Sequence, residues 1–242
     1  MTTENEDQIA LINEIHKSSL YKLDDKDPAI TGRSWKLYRR HLFSDLKTEK
    51  DFWNHFKNKD FLDIGCGINH IYEESLLNKV TNASSARGLD IHHYRTNNTN
   101  YIKSDVFELS LKHIDIITIN NFLYYWIDDP KKLLMIYKKM YAALNKGGEI
   151  RIYPVFFGNY HFENPELKKY LDSHFDVTLH PVHYYSETQV YLKKPSYFET
   201  FFGKKASDYE LVNASVFTWL NVWQEKSDND TLKATLVKLV KK

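Results

Sequence analysis

The chain has 242 residues, 42% of them hydrophobic, with 33 Lys and Arg against 32 Asp and Glu. That is enough to bury a core, and the near-zero net charge offers no footprint for a polyanion, so no nucleic-acid partner is expected. The single cysteine, Cys66, excludes an intrachain disulfide and a cysteine-based metal cluster, and no metal site is expected.

The opening MTTENEDQIA is polar and acidic, unlike a secretory signal. No apolar run approaches the ~18 residues of a membrane span, so a cytoplasmic protein is expected. Ile9, Ile12, Ile15 and Leu20 among charges predict a short amphipathic helix within residues 1–27. The aromatic and basic stretch over residues 31–56 predicts a second helical piece, and residues 1–56 together read as a helical cap.

From Lys59 the texture changes to short apolar runs alternating with helical patterns, the signal of βαβ units and a mainly parallel sheet. DFLDIG, ARGLDI, NYIKSDV, HIDIITIN, EIRIYPVFF, FDVTLHP and TQVYLKK predict its strands, in a domain over residues 57–195. The clearest helix lies between the fourth and fifth. Asp128 or Asp129 caps it, Pro130 suits its first turn, and Leu133, Leu134, Tyr137, Met140, Tyr141 and Leu144 form one face before NKGG ends it. Beyond it, Ser207-x-x-Glu210 reads as a capping box ahead of Val212, Val216, Trp219, Leu220 and Trp223, with a last short helix at about Thr231 to Lys241. Residues 196–242 are therefore predicted as a C-terminal helical extension packed on the same domain.

Only eight glycines occur in the chain, yet Gly65 and Gly67 stand two apart after a run that carries Asp63, in FLDIGCGINH. A strand, Gly-x-Gly and then a helix, begun here by Asn69 and His70, lets backbone amides approach a ligand at the carboxyl edge of a sheet. A P-loop would need Gly-Lys-Ser/Thr where INHIYEES stands. A dinucleotide fold prefers a third glycine where His70 stands, which leaves NAD as the runner-up.

LDIGCG resembles the first motif of the class I SAM-dependent methyltransferases. Asp90 in GLDI and Asp105 in SDVF continue that resemblance at the ends of the second and third strands, over about residues 59–155. The resemblance implies an α/β fold with a mainly parallel, seven-stranded Rossmann-like sheet. Its antiparallel last strand is inserted beside the fifth, and TQVYLKK fits that place. It also implies S-adenosyl-L-methionine as cofactor. The implied binding residues are Asp63, Gly65, Cys66 and Gly67 in the turn, Asp90 with Ile91 at the ribose, and Asp105 with Val106 at the adenine. Asn120 ends the fourth strand, and Arg39 or Arg33 of the cap meets the carboxylate. Only HHYRTNNTN follows Asp90 and Ile91 before the third strand, too little for the usual helix.

Methyl transfer needs alignment and exclusion of water, and a base only where the acceptor carries a proton. Candidates for one are His70, His161 and Tyr125, with His92, His93 and His183 also of suitable type. The sequence after the fourth strand, NNFLYYW, lacks the Asp/Asn-Pro-Pro-aromatic motif of amino-directed nucleic-acid enzymes. Arg151 interrupts an apolar strand and must find a carboxylate, most simply as a structural ion pair. Residues 153–202 hold 14 aromatics, and some of these are expected to line an acceptor site. The expected activity is methyl transfer to a small molecule, with a protein side chain or a catalytically degenerate interaction module as alternatives.

Overall fold

A computed structural model describes residues 31–67, 69–91, 99–120, 129–156, 164–182, 188–193, 210–215 and 234–242. In chain order the elements are β1 (Thr31–Gly32), α1 (Trp35–Leu42), α2 (Glu49–His55), β2 (Asp60–Ile64), α3 (Leu76–Lys79), β3 (Ser85–Asp90), β4 (Tyr101–Lys103), a 3-10 turn (Val106–Glu108) and β5 (Ile114–Asn120). They continue with α4 (Pro130–Ala143), β6 (Leu144–Phe156), α5 (Pro165–His174), β7 (Phe175–Pro181), β8 (Thr188–Lys193), β9 (Glu210–Ser215) and β10 (Ala234–Lys241). No described helix is long and apolar enough to cross a membrane.

The main sheet has seven strands in the order β4-β3-β2-β5-β6-β10-β7. Pairing is parallel from β4 through β6, and β10 runs antiparallel between β6 and β7. One face is aliphatic: Leu62, Ile64, Ile117, Ile119, Ile150, Ile152, Val237 and Leu239 pack with Leu133, Ile136, Tyr137 and Met140 of α4 and Leu167 and Leu171 of α5. Asp129 caps α4 by accepting from Lys131 N at 2.8 Å, with Pro130 in the first turn, as the sequence predicts.

The opposite face is mixed. Phe61, Ile116, Tyr153 and Leu236 meet an aromatic cluster of Tyr38, Phe43, Phe52 and Phe56 from the cap. Between them Asp63, Thr118, Asn120, Glu149 and Arg151 are buried. The helical stretch predicted over residues 31–56 is in fact two helices, because Thr48 and Asp51 form a capping box that starts α2 afresh. The connection between them carries Asp45 to the sheet, which explains Arg151. Its Nη1 donates to Asp45 Oδ1 at 2.5 Å and to Leu42 O at 2.8 Å, and its Nε donates to Glu149 Oε1 at 2.7 Å. His55 of α2 bonds the same Glu149, and Lys238 of β10 lies 3.3 Å from Asp45. A fully buried guanidinium thus ties cap, β6 and β10 together.

Three expectations are corrected. The antiparallel strand inserted beside the fifth is β10, and TQVYLKK forms β8 of a separate three-stranded sheet, ordered β1-β8-β9. The short helix at Thr231 to Lys241 is thus a strand over Ala234–Lys241. It is buried on both faces, Leu236 on one and Val237 and Leu239 on the other. Its apolar spacing resembles a helix because the strand is apolar on both faces; the register shift near Leu236 lies in β6, since β10 keeps an unbroken register with β7. Glu210 and Val212 likewise lie in a strand, so the described part of residues 196–242 is strand and not helix, and a boundary at 195 would cut the main sheet. The helix within residues 1–27, and Val216, Trp219, Leu220 and Trp223, lie outside the described residues.

Burial opposes ionisation of Glu149, but the His55 bond and the Arg151 charge outweigh it and hold its carboxyl well below the usual range. Asp45 is likewise lowered by Arg151 and Lys238 against its burial. Carboxyls lowered by folding stabilise the fold above their unfolded values, and that stability is lost as pH falls. Arg151→Met takes the guanidinium from buried Glu149 and half-buried Asp45, leaving them only His55 and Lys238, and should cost up to about 3–5 kcal/mol at neutral pH in urea unfolding. The deficit relative to wild type should shrink below about pH 4, where both acids can take protons.

Candidate active site

β2 delivers the chain to the carboxyl edge of the sheet, and the next three residues reverse it. Gly65 and Gly67 take φ of 69° and 54°, left-handed values that a side chain disfavours. Gly65 N and Cys66 N donate to Leu89 O at 2.8 and 3.3 Å, which seats the turn on the end of β3. That approach needs Gly88, where an added Cβ would stand 2.6 Å from Cys66 Sγ and 2.7 Å from Leu77 Cδ1. A glycine inside ARGLDI was the available signal for it. The Cys66 thiol is buried, which together with Asp90 and Asp63 pushes it well up.

Asp90 ends β3, almost wholly buried, and its Oδ2 accepts from Gly67 N at 2.9 Å. The acid expected at the ribose is therefore fixed by the turn itself, with Ile91 following it. Asp105 stands at the end of the next strand and caps the 3-10 turn, its Oδ1 accepting from Phe107 N at 3.0 Å, with Val106 buried beside it. Asn120, the last residue of β5, is buried, and neither atom of its amide has a hydrogen-bond partner among the described residues.

Asp63 lies beneath the turn and is fully buried. It accepts from Tyr38 Oη at 2.6 Å, Asn69 Nδ2 at 3.0 Å and Thr118 Oγ1 at 2.8 Å. Burial pushes its carboxyl up, against these three bonds and the nearby Arg33 charge. The structure thus places Asp63 under the turn as its support, engaged by three side chains. Thr118 was missed, although its hydroxyl is the polar exception within the aliphatic run of HIDIITIN. Asn69 and His70 do not begin a helix: both lie in a turn, and α3 starts only at Leu76 behind its Ser75 cap.

Arg33 is buried, its Nε has no hydrogen-bond partner among the described residues, and its charge reaches Asp63, Tyr38 and Cys66. Arg39 lies half-buried on α1, its Nε likewise without a hydrogen-bond partner among the described residues. His70 is buried with its ring 4.3 Å from that of Tyr101, and burial lowers its pKa. His41, from α1, stacks on Tyr153 at 4.2 Å; burial and the Arg33 and Arg40 charges lower its pKa to about 3, so it is neutral at pH 7. Tyr125, His161, His92, His93 and His183 lie outside the described residues, as do most aromatics of residues 153–202.

No protein-family model and no curated protein matches the chain. Among solved structures it is similar to N-methyltransferase NodS from Bradyrhizobium japonicum WM9 in complex with S-adenosyl-L-homocysteine, at 12% identity over 97% of each chain and TM-score 0.41. It is similar to a SAM-dependent methyltransferase from Archaeoglobus fulgidus, at 19% identity over 80% of this chain and 90% of that one, TM-score 0.44. Magnesium protoporphyrin IX methyltransferase (ChlM) from Synechocystis PCC 6803 with bound SAM matches at 11% over 78% and 73%, TM-score 0.42. At such identities and TM-scores these proteins lend this chain neither an activity nor a substrate.

Asp63→Ala would strand three buried donors, each costing about 1–3 kcal/mol. Urea unfolding should therefore show a loss of about 3 kcal/mol or more for Asp63→Ala, and a clearly smaller one for Asp90→Ala, which releases the Gly67 amide at the turn. Equal losses would contradict the division between support and binding edge. The strand order, the reversed strand between the last two parallel ones and the glycine turn ahead of Asp90 make this a seven-stranded, mainly parallel Rossmann-like sheet, as the resemblance to class I methyltransferases implies.

Proposed function

We propose that this chain binds S-adenosyl-L-methionine at the carboxyl edge of β2, β3 and β4 and transfers its methyl group to a small-molecule acceptor. The observation that carries this reading is the Gly65–Gly67 turn closed onto the Asp90 carboxylate. A carboxylate whose direction is fixed by a backbone N–H is preorganised to accept from vicinal ribose hydroxyls. Asp105 holds the 3-10 turn so that Val106 presents its backbone to the adenine. Arg33, buried where Arg39 is only half-buried and with a charge that reaches Asp63 beneath the turn, is assigned to the methionine carboxylate. Asn120, buried at the end of β5 and in register with Tyr153 of β6, is assigned to the methionine end.

Bound there by the turn, Asp90 and Arg33, SAM would supply a sulfonium methyl group for in-line displacement by an acceptor lone pair, with the carbon–sulfur electron pair leaving on sulfur. The leaving sulfur is neutral, so the protein's work is positional. The turn and Asp90 fix the adenosine, Arg33 fixes the amino-acid end, and the aromatic cap excludes water. Any acceptor proton passes to solvent or to a base. His70, packed on Tyr101, supports SAM over NAD, because its ring fills the place where a dinucleotide fold needs a glycine. Burial leaves His41 neutral at pH 7 and lowers the pKa of His70.

Calorimetric titration with SAM and S-adenosyl-L-homocysteine should give dissociation constants within about 1 μM–1 mM, the usual span for enzyme substrates. Asp90→Ala should weaken binding by about 10- to 150-fold, the loss of a charged hydrogen bond. No heat at millimolar ligand, or heat with NAD in its place, would overturn the reading. Turnover of labelled SAM on small amines, hydroxyls and candidate proteins then separates the acceptor classes.

A further inference from the structure

Asn69 makes three of the four hydrogen bonds open to its side chain. Its Nδ2 donates to Tyr38 Oη at 2.7 Å and to Asp63 Oδ2 at 3.0 Å, and its Oδ1 accepts from Arg33 N at 2.7 Å. Its backbone is engaged too. Asn69 N donates to Cys66 O at 3.1 Å, and its carbonyl accepts from Ser75 Oγ at 2.5 Å and from Asn78 Nδ2 at 3.2 Å. The residue is therefore locked to the glycine turn on one side and to the cap on the other.

What the cap adds at that point is a strap. Thr31 and Gly32 pair with Tyr191 and Val190 of β8, antiparallel. Arg33 bonds Asn69, Ser34 bridges Ser75, and Trp35 N donates to Glu74 O at 2.8 Å. Five consecutive residues thus join the β1-β8-β9 sheet to the segment that follows the glycine turn. A two-stranded hairpin is marginal in water and needs a third strand to stand. Here the third strand is two residues long, so its persistence depends on its anchor, and the next residue is anchored on Asn69.

We propose that Asn69 is a positioning residue that couples occupancy of the glycine turn to the order of the β1-β8-β9 sheet through the strap at residues 31–35. A ligand that restrains Gly65–Gly67 restrains Asn69 through Cys66 O, and Asn69 then holds Arg33 and the strand before it. The coupling is reciprocal: a molecule that settles on β8 and β9 tightens the turn. This inference rests on the cofactor reading above.

The test is hydrogen exchange on the intact chain with and without S-adenosyl-L-homocysteine, with calorimetry on the same samples. Ligand should slow exchange across Thr188–Lys193 and Glu210–Ser215 by about fivefold or more, the low end of ordinary coupling. Asn69→Ala should still bind the ligand but lose that remote protection. Thr118→Val removes another bond to Asp63 without touching the strap, and should keep it. Wild type that binds the ligand with no change in β8 overturns the coupling and leaves the cofactor reading standing, as does an Asn69→Ala protein that retains the full effect. No ligand binding overturns both. The wild-type comparison decides the matter even where a variant fails to fold.

Discussion

A carboxylate buried under a backbone turn must be surrounded by donors, and at Asp63 those donors come from three separated parts of the chain. Tyr38 comes from the cap, Asn69 from beyond the turn and Thr118 from the neighbouring strand. An uncompensated buried charge costs several kcal/mol, so these segments cannot take independent positions. The cap is therefore part of the site's foundation. Arg151 repeats the device farther along the same face, where Asp45 and Glu149 converge on it and Lys238 pairs with the same two acids.

The two sheet faces consequently do different work. The face under α4 and α5 is filled by aliphatic side chains, whose burial stabilises the domain without specifying much beyond volume. The cap face is studded with polar groups whose bonds have direction. Directional bonds fix α1, the α1–α2 connection and the turn to within hydrogen-bond tolerance. Adenosine recognition needs that tolerance, because Gly67 N and the Asp90 carboxylate are set by the same framework.

The parallel strands, α4 and the glycine turn were legible because each carries a local signal: apolar runs, a cap followed by proline, and glycines where the chain is otherwise poor in them. Asp90 and Asp105 were legible because strand ends are countable. β10 was not, since a short strand buried on both faces has no alternation and its pairing partners lie 54 to 91 positions earlier in the chain. The same blindness hid the role of Asn69, whose partners at Arg33, Tyr38 and Asp63 are set by the fold. Arg151 shows the middle case: the need for a carboxylate was readable from one charge in an apolar strand, whereas Asp45 and Glu149 as its partners were not.

The central claim is that the Gly65–Gly67 turn and the start of the 3-10 turn at Val106 form one adenosyl-binding edge. Amide chemical shifts of Gly65, Cys66, Gly67 and Val106, followed during titration of the labelled protein with S-adenosyl-L-homocysteine, test it residue by residue. All four should move together and saturate along one binding curve. Binding that left these four amides unmoved while others shifted would contradict the account.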